Sequence, residues 1–324
     1  MSGAQLASAL LLDPPGRASA PFADALVLAA EERDDLVVLS ADLSKYTDLV
    51  PFAQRFPARF FQMGMAEANM MGAAGGLAKT GLRPIAVTYG VFATRRSYDQ
   101  VAMALATGPS PSSIIAFLPG ITTPFRATHQ AIDDLALMRA LPGMTVIDPL
   151  DATELQSAFT ATLDSDGPVY IRGLRGQVDR LLDPVSYRFT VGDVHELRAG
   201  DSAVGLVGTG IGTQWALQAA LALSGKGVEV SVLHAPTLKP FDQEAVAAWC
   251  ASLSTVVTVE NHSVLGGLGS AVAEALAEHG SGVRLRRLGV RDRWADAGSL
   301  EHVRRQLCLD GEGIASSVLA EVEG

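Results

Sequence analysis

The hydrophobic and polar positions of this chain alternate between short aliphatic runs and longer stretches with helical spacing. Over its first half, the pattern predicts strands at 36–39, 83–89, 113–118, 145–148 and 168–172 and helices at 22–33, 66–80, 93–107, 130–140 and 152–163. Short apolar strands that alternate with amphipathic helices are typical of a mostly parallel sheet with helices on both faces. We therefore expect an α/β architecture.

The alternation stops and then resumes further along the chain. Residues 174–193 lose the rhythm and are interpreted as a linker. After them, the pattern predicts strands at 202–207, 228–233, 255–259 and 283–288 and helices at 211–223, 242–253, 267–279 and 299–308. The prediction is thus two consecutive three-layer α/β domains with mostly parallel sheets, at 1–173 and 194–324.

Composition excludes several classes of protein. The 324 residues suffice for about two domains of roughly 150 residues. The chain has 25 Lys and Arg against 35 Asp and Glu, and this net charge of −10 argues against nucleic-acid and anionic-membrane partners. Its cysteines, Cys250 and Cys308, do not form a disulfide framework or a zinc motif. No apolar stretch reaches the roughly 18 residues of a membrane span, and the amino terminus lacks the basic residues of a signal peptide, so we expect a cytoplasmic protein.

Glu67 is the first candidate for chemistry. It is a lone acid among Met, Gly and Ala residues, at a predicted junction between a strand and a helix. A buried carboxylate costs several kcal/mol unless it is bonded or protonated, so burial would point to a function. An exposed acid that only caps its helix is an equally good interpretation of the local sequence.

Two further stretches carry candidate residues. Tyr89 and Phe92 lie where a predicted strand ends, and aromatic rings at that edge of an α/β sheet can stack on a flat heterocycle. A place in the core is the more common role for such rings. His129 is predicted to lie at the start of a helix, where the positive end of the helix dipole lowers imidazole basicity. An ordinary surface histidine is the alternative.

Several segments together resemble the carboxy-terminal half of transketolase, and the smaller chain of two-chain transketolases above all. In order, they are LSADLS (39–44), MGMAEANMMGAAGGLAKTGLRPI (63–85), SYDQ (97–100), ATHQAIDDLALMRALPGMTVIDPLD (127–151), VGTGIGTQWALQAA (207–220), LKPFD (238–242) and VENHSVLGGLGSAVAE (259–274). The resemblance covers nearly the whole chain. It implies a thiamine diphosphate enzyme in which residues 1–173 form the pyrimidine-binding domain and 194–324 the family's carboxy-terminal domain.

The resemblance implies roles for individual residues at the cofactor. Glu67 would be the acid that hydrogen-bonds the aminopyrimidine ring and activates the cofactor. Phe92 and Tyr89 would pack against that ring, and Asp42 would lie at the cofactor edge. His129 would hydrogen-bond the ketose donor near its reacting oxygen, so that Glu67 and His129 are the expected catalytic residues.

Substrate-binding positions follow from the same resemblance. Arg17 and Arg175 stand where transketolases place arginines that meet the acceptor phosphate, a task that suits bidentate guanidinium groups. Phe125 and Arg126 replace the family's Asp-Gly pair, whose Asp contacts the donor hydroxyls, and Tyr46 stands near the usual place of a substrate-binding serine. We therefore expect substrates other than the standard pair of sugar phosphates.

The family's metal and diphosphate motif, GDG followed at a distance by Asn, does not occur in this sequence. We expect no metal ligands in this chain. Thiamine diphosphate and Mg²⁺ would be held by a separately encoded diphosphate-binding subunit in an α2β2 assembly.

The leading hypothesis is one subunit of a transketolase-type enzyme that moves a two-carbon ketol unit from a ketose or 2-oxo donor to an aldose, with sugars or sugar phosphates as substrates. The enzymatic alternatives are the β-type chain of a 2-oxoacid dehydrogenase and a reaction like that of 1-deoxyxylulose phosphate synthase. A non-catalytic partner subunit that keeps the fold is the remaining alternative.

Overall fold

The computed structural model describes residues 16–322, which form two compact units. The first unit contains residues 16–119 and 137–191, and the second contains residues 120–136 and 192–322. This division differs from the predicted one at residues 120–136, which group with the carboxy-terminal half. Hydrogen bonds explain the difference, since Ile121 N donates to Asn261 Oδ1 over 2.9 Å. The domain boundaries at 173 and 194 stay a prediction.

The first unit is built on a parallel sheet. Its strands and helices are β1 (Gly16–Ser19), α1 (Pro21–Glu32), β2 (Leu36–Ser40), α2 (Val50–Arg55), β3 (Phe60–Gln62), α3 (Glu67–Ala78), β4 (Arg83–Tyr89), α4 (Tyr98–Gln100), β5 (Ser113–Phe117), α5 (Asp134–Ala140, whose first residues belong to the second unit), β6 (Thr145–Ile147), α6 (Ala152–Thr162), β7 (Val169–Gly173) and β8 (Gln177–Arg180). Two π-helices, Phe92–Arg96 and Val101–Leu105, flank α4.

Strands of this unit lie in the order β6-β7-β5-β4-β2-β3, and each neighbouring pair is parallel. Every residue of β2, β5 and β7 is buried, which explains why these strands are mostly apolar and do not alternate between apolar and polar residues in the sequence. A separate antiparallel ribbon joins β1 to β8 and places Arg17 opposite Asp179. The predicted linker thus supplies a strand to the first unit.

The second unit carries its own mixed sheet. Its elements are β9 (His195–Arg198), β10 (Val204–Gly208), α7 (Gly210–Ser224), β11 (Ser231–His234), β12 (Thr237–Lys239), α8 (Gln243–Cys250), β13 (Thr255–Ser263), α9 (Leu268–Glu278), β14 (Arg284–Val290), α10 (Leu300–Gln306) and α11 (Gly311–Val322). The strand order is β14-β13-β10-β11-β9, and β9 is the antiparallel member. Buried Val and Leu residues of this sheet form one core with Trp215 and with Ile121 and Ile132 from the 120–136 segment.

The prediction of two α/β domains with mostly parallel sheets is confirmed. The predicted helix 93–107 is interrupted, since two π-helices and the short α4 occupy it. None of the helices among residues 16–322 is both long enough and apolar enough to cross a membrane.

Candidate cofactor and substrate site

Candidate residues of the first unit follow the carboxyl ends of parallel strands. Asp42 comes just after β2, Glu67 opens α3 after β3, and Tyr89 is the last residue of β4. Ligands of open α/β sheets bind outside this edge. The topology therefore places these three residues where a ligand is expected.

Glu67 is buried and paired. Its side chain is only 1% exposed, and Arg96 Nη1 donates to Glu67 Oε1 over 2.9 Å and to Oε2 over 2.8 Å. As the first residue of α3, Glu67 also lies at the positive end of that helix dipole. The geometry excludes the interpretation of Glu67 as an exposed helix cap. It shows a buried carboxylate whose charge a helix terminus and a guanidinium group offset.

Aromatic rings line the same place. The rings of Tyr89 and Phe92 are stacked, with centroids 6.0 Å apart and an interplanar angle of 27°. The guanidinium carbon of Arg96 lies 4.1 Å from the centroid of the Phe92 ring. A flat group that donates N–H bonds is thus accommodated against Phe92 and Glu67. An aminopyrimidine is also flat and has nitrogen atoms at its edge, so these residues fit the pyrimidine end of thiamine diphosphate.

Arg175 and Tyr46 lie beside Tyr89. Arg175 Nη1 donates to the carbonyl oxygen of Tyr46 over 3.3 Å. Burial raises the pKa of the Tyr89 hydroxyl, and the positive charge of Arg175 opposes this shift. The predicted Arg175 is therefore close to a predicted cofactor-binding ring, and the exposed Tyr46 ring belongs to the same neighbourhood.

Asp42 and Arg17 have contacts of their own. Asp42 adopts a left-handed conformation with φ of 58°, and its backbone N–H donates to Gln62 Oε1 over 2.6 Å. Arg17 Nε lies 2.8 Å from Asp179 Oδ1 on the exposed β1–β8 ribbon, where the Arg17 side chain is 68% exposed. Arg17 is thus held by an ion pair at the surface.

His129 lies in a turn ahead of α5, which begins at Asp134. The prediction that His129 opens a helix is wrong. Ala131, which lies between His129 and Asp134, forms an isolated β-bridge with Gly120 instead. A helix dipole therefore does not act on His129. The contacts of its imidazole ring are with neighbouring side chains. Its Nδ1 lies 2.9 Å from Thr128 Oγ1, and its ring centroid lies 4.8 Å from that of the exposed Phe125.

Gln130 anchors this segment within the second unit. Its buried amide donates to the carbonyl oxygens of Phe125 over 3.1 Å and Ala295 over 3.0 Å, and it accepts from Ala295 N over 3.1 Å. Arg126 Nη2 lies 3.0 Å from Asp296 Oδ1, with both side chains more than half exposed. These hydrogen bonds and the ion pair hold the turn at residues 125–129 in place. The side chains of Phe125 and Arg126 remain exposed.

The structure thus distributes the predicted site residues over the two units. It brings Glu67, Phe92 and Tyr89 together, with Arg175 beside Tyr89. Sequence reasoning missed Arg96, Gln62 and Gln130, although Arg96 directly precedes the SYDQ segment and Gln130 lies inside the segment that begins with ATHQ. Within residues 16–322, no three His, Cys, Asp or Glu side chains lie together as a metal site requires.

Comparison with known proteins decides the family. Residues 18–179 match the family "Transketolase, pyrimidine binding domain", and residues 192–314 match "Transketolase, C-terminal domain". This chain belongs to the transketolase family. The family implies dependence on thiamine diphosphate.

Relatives extend over nearly the whole chain. An uncharacterized transketolase family protein of Sinorhizobium fredii is 44% identical over 92% of this chain and 87% of its own length. The 6-deoxy-6-sulfo-D-fructose transketolase subunit of Clostridium sp. strain MSTE9 is 41% identical over 90% of each chain. A solved structure described as a split gene transketolase, inactive β4 tetramer, has a TM-score of 0.83 and 37% identity and covers 94% of this chain and 97% of that one. The chain is also 35% identical to 1-deoxy-D-xylulose-5-phosphate synthase 1 of Geobacter sulfurreducens, of which it spans 48%.

Proposed function

We propose that this chain is the pyrimidine-binding subunit of a split transketolase-type enzyme. In this proposal the enzyme transfers a two-carbon ketol unit from a ketose or 2-oxo donor to an aldose. It works only with a separate subunit that holds the diphosphate and Mg²⁺. Thiamine diphosphate, when bound, supplies the electron sink for this transfer.

The observation that carries the proposal is the buried carboxylate of Glu67 beside the Tyr89–Phe92 stack. A carboxyl group excluded from water shares a proton with a ring nitrogen in a strong hydrogen bond, because no water competes for its oxygens. Phe92 offers a face on which a heterocycle can stack. Glu67 would therefore hold the proton at the pyrimidine ring, and Phe92 would fix the plane of that ring.

Relatives support a separate partner. The proteins that match this chain over most of their own length include one named a transketolase subunit and one described as a split gene transketolase. The second of these is a tetramer of β chains, and it is described as inactive. We infer that this chain likewise requires a second, diphosphate-binding chain, in an α2β2 assembly.

Charged and aromatic side chains at the surface guide the proposal for substrates. Arg175 lies near Tyr89, and Phe125 and Arg126 lie on an exposed turn beside His129. Guanidinium groups recognise phosphate and sulfonate oxygens in the same bidentate way. The Clostridium relative is named for a sulfonated sugar. We therefore propose a sugar with a terminal anionic group as one substrate, bound by Arg17, Arg175 and Arg126, with His129 at the reacting oxygen of the donor.

Native mass spectrometry of the tagged chain tests the assembly. The chain is purified from its source cells with thiamine diphosphate and Mg²⁺ present. A complex of two copies with two of a second chain, with bound cofactor, is the expected result. A homodimer without a second chain or cofactor would support the non-catalytic alternative.

Substitution of Glu67 tests the catalytic assignment in that complex. We expect Glu67→Gln to lower turnover about 100- to 10,000-fold, the usual cost of losing a general acid or base. Glu32→Gln, at an exposed acid of the same unit, serves as the matched control and should retain turnover. Wild-type turnover in Glu67→Gln would contradict the role of Glu67.

The similarity to a 1-deoxy-D-xylulose-5-phosphate synthase favours a second candidate, in which the donor is a 2-oxo acid such as pyruvate and the unit transferred is an acyl unit rather than a ketol unit. Such a donor must lose its carboxyl group as CO₂, whereas a ketose donor releases an aldose. Assays of the complex with pyruvate and with fructose 6-phosphate, with detection of CO₂ and of the released aldose, distinguish the two donors.

A further inference from the structure

Arg96 makes, within this chain, the two contacts that the proposed function assigns to the pyrimidine ring. Its guanidinium group lies 4.1 Å above the Phe92 ring centroid and donates to both carboxylate oxygens of Glu67. We propose that Arg96 occupies the pyrimidine position in the cofactor-free chain and is displaced when the cofactor binds. This inference rests on the proposed function.

The chemistry of the guanidinium group supports this role. It is planar, stacks on aromatic faces and presents N–H donors at its edge. An aminopyrimidine shares the planar shape and the nitrogen-bearing edge. The two groups therefore compete for the same face of Phe92 and the same oxygens of Glu67, and both cannot be bound there at once.

Exposure shows how the exchange can occur. The Arg96 side chain is 47% exposed, whereas that of Glu67 is 1% exposed. Arg96 can therefore swing towards solvent without opening the core, while Glu67 stays in place. Its backbone is fixed meanwhile, since the next residue, Ser97, donates its hydroxyl to the carbonyl oxygens of Phe92 and Ala93 over 3.0 and 2.9 Å.

Two consequences follow for the free chain. Arg96 offsets the charge of the buried Glu67 carboxylate before the cofactor arrives, which stabilises the cofactor-free fold. The same contact must be broken on binding, which weakens the affinity for the cofactor. Removal of Arg96 should thus lower the stability of the free chain and tighten cofactor binding, two effects of opposite sign.

Calorimetric titration of the assembled complex with thiamine diphosphate tests the inference. We expect Arg96→Gln to lower the Kd about tenfold, or about 1.4 kcal/mol, the scale of one lost charge-assisted hydrogen bond. Arg96→Lys keeps the positive charge without the planar guanidinium group and should give a Kd between those of the wild type and Arg96→Gln. Arg95→Gln removes the neighbouring charge of the same π-helix and should leave the Kd unchanged.

Thermal unfolding of the free chain supplies the second measurement. Arg96→Gln should unfold at a lower temperature than the wild type, and Lys79→Gln, at an exposed positive charge of the same unit, should not. An unchanged or raised Kd in Arg96→Gln, in a complex that binds the cofactor, would overturn the inference and leave the proposed function standing. If neither the wild type nor Arg96→Gln binds thiamine diphosphate, the proposed function fails and the inference falls with it.

Discussion

Arg172 and Asp148 form an ion pair inside the first unit. Arg172 Nη1 lies 3.1 Å from Asp148 Oδ2, and the two side chains are 0% and 5% exposed. Arg172 lies on β7, and Asp148 follows the neighbouring strand β6. Removing two charges from water costs several kcal/mol each, and their attraction offsets this cost only while both are present.

Arg172→Met should therefore destabilise the chain strongly. We expect the free energy of unfolding to fall by about 3–5 kcal/mol, because a buried carboxylate loses its charged partner. Urea unfolding measures the change. Arg17→Met, at the exposed Arg17–Asp179 pair, is the matched control and should cost less than about 1 kcal/mol. Equal losses in the two variants would contradict the difference in burial.

Asp151 is a buried carboxyl group at the start of α6. Its oxygens accept hydrogen bonds from the backbone N–H groups of Glu154 over 2.8 Å, Leu181 over 2.6 Å and Leu182 over 2.7 Å. Burial raises the pKa of Asp151 to about 6, although the backbone hydrogen bonds oppose this shift.

Stability should therefore fall with rising pH in a defined range. The folded chain binds the Asp151 proton more tightly than the unfolded chain, whose pKa is the ordinary 3.8. The resulting stability is complete below about pH 4 and is lost as the pH rises through about 6, by about 3 kcal/mol. Asp151→Asn has no proton to lose there. The free energy of unfolding, measured with urea between these pH values, should fall less in Asp151→Asn than in the wild type. An equal fall in the two proteins would contradict the prediction.

The two cysteines differ in their access to solvent. Cys250 on α8 is buried, and burial raises the pKa of its thiol to about 12, whereas Cys308 is exposed. Since the thiolate is the reactive form, the native free chain should react with Ellman's reagent at Cys308 alone and at both thiols after denaturation. Cys308→Ser should abolish the native reaction and Cys250→Ser should preserve it. Rapid reaction of native Cys308→Ser would show that Cys250 is accessible.

Local pattern sufficed for the elements that are buried on both faces. The predicted strand 36–39 is observed as β2, Leu36–Ser40, because a parallel strand that is buried on both faces favours a nearly continuous apolar run. The ribbon of β1 and β8 was missed. Its sequences, GRAS and QVDR, have little apolar character, and the pairing joins residues far apart in the chain.

The candidate site shows the same limit. The resemblance to transketolase suggested a cofactor edge at Glu67 and Phe92, but the partner of Glu67 was not evident. Arg96 lies 29 residues further along and reaches Glu67 from a π-helix, whose extra residue per turn leaves no mark in apolar periodicity. The helix α5 was predicted to start at residue 130, but it starts at Asp134. Gln130 donates to the carbonyl oxygen of Ala295, a contact between residues far apart in the chain that local periodicity does not show.

Gly75 and Gly76 are adjacent on α3 but have different surroundings. A Cβ atom at Gly75 would lie 2.5 Å from the carbonyl oxygen of Ala104 in the Val101–Leu105 π-helix. Among the described residues, nothing lies within 4 Å of a Cβ atom at Gly76. The two positions therefore separate the steric effect of an added methyl group from its effect on helix propensity.

Gly75→Ala should destabilise the free chain by about 1–3 kcal/mol, because the backbone of one of the two helices must shift to admit the methyl group. Gly76→Ala should stabilise it by up to about 1 kcal/mol, since alanine favours the helix without a clash. Urea unfolding of both variants measures the difference. The helix α3 begins at Glu67 and packs against the π-helix 101–105 through Gly75, so this contact positions Glu67. Equal stability of the two variants would contradict the close approach of the two helices at Gly75.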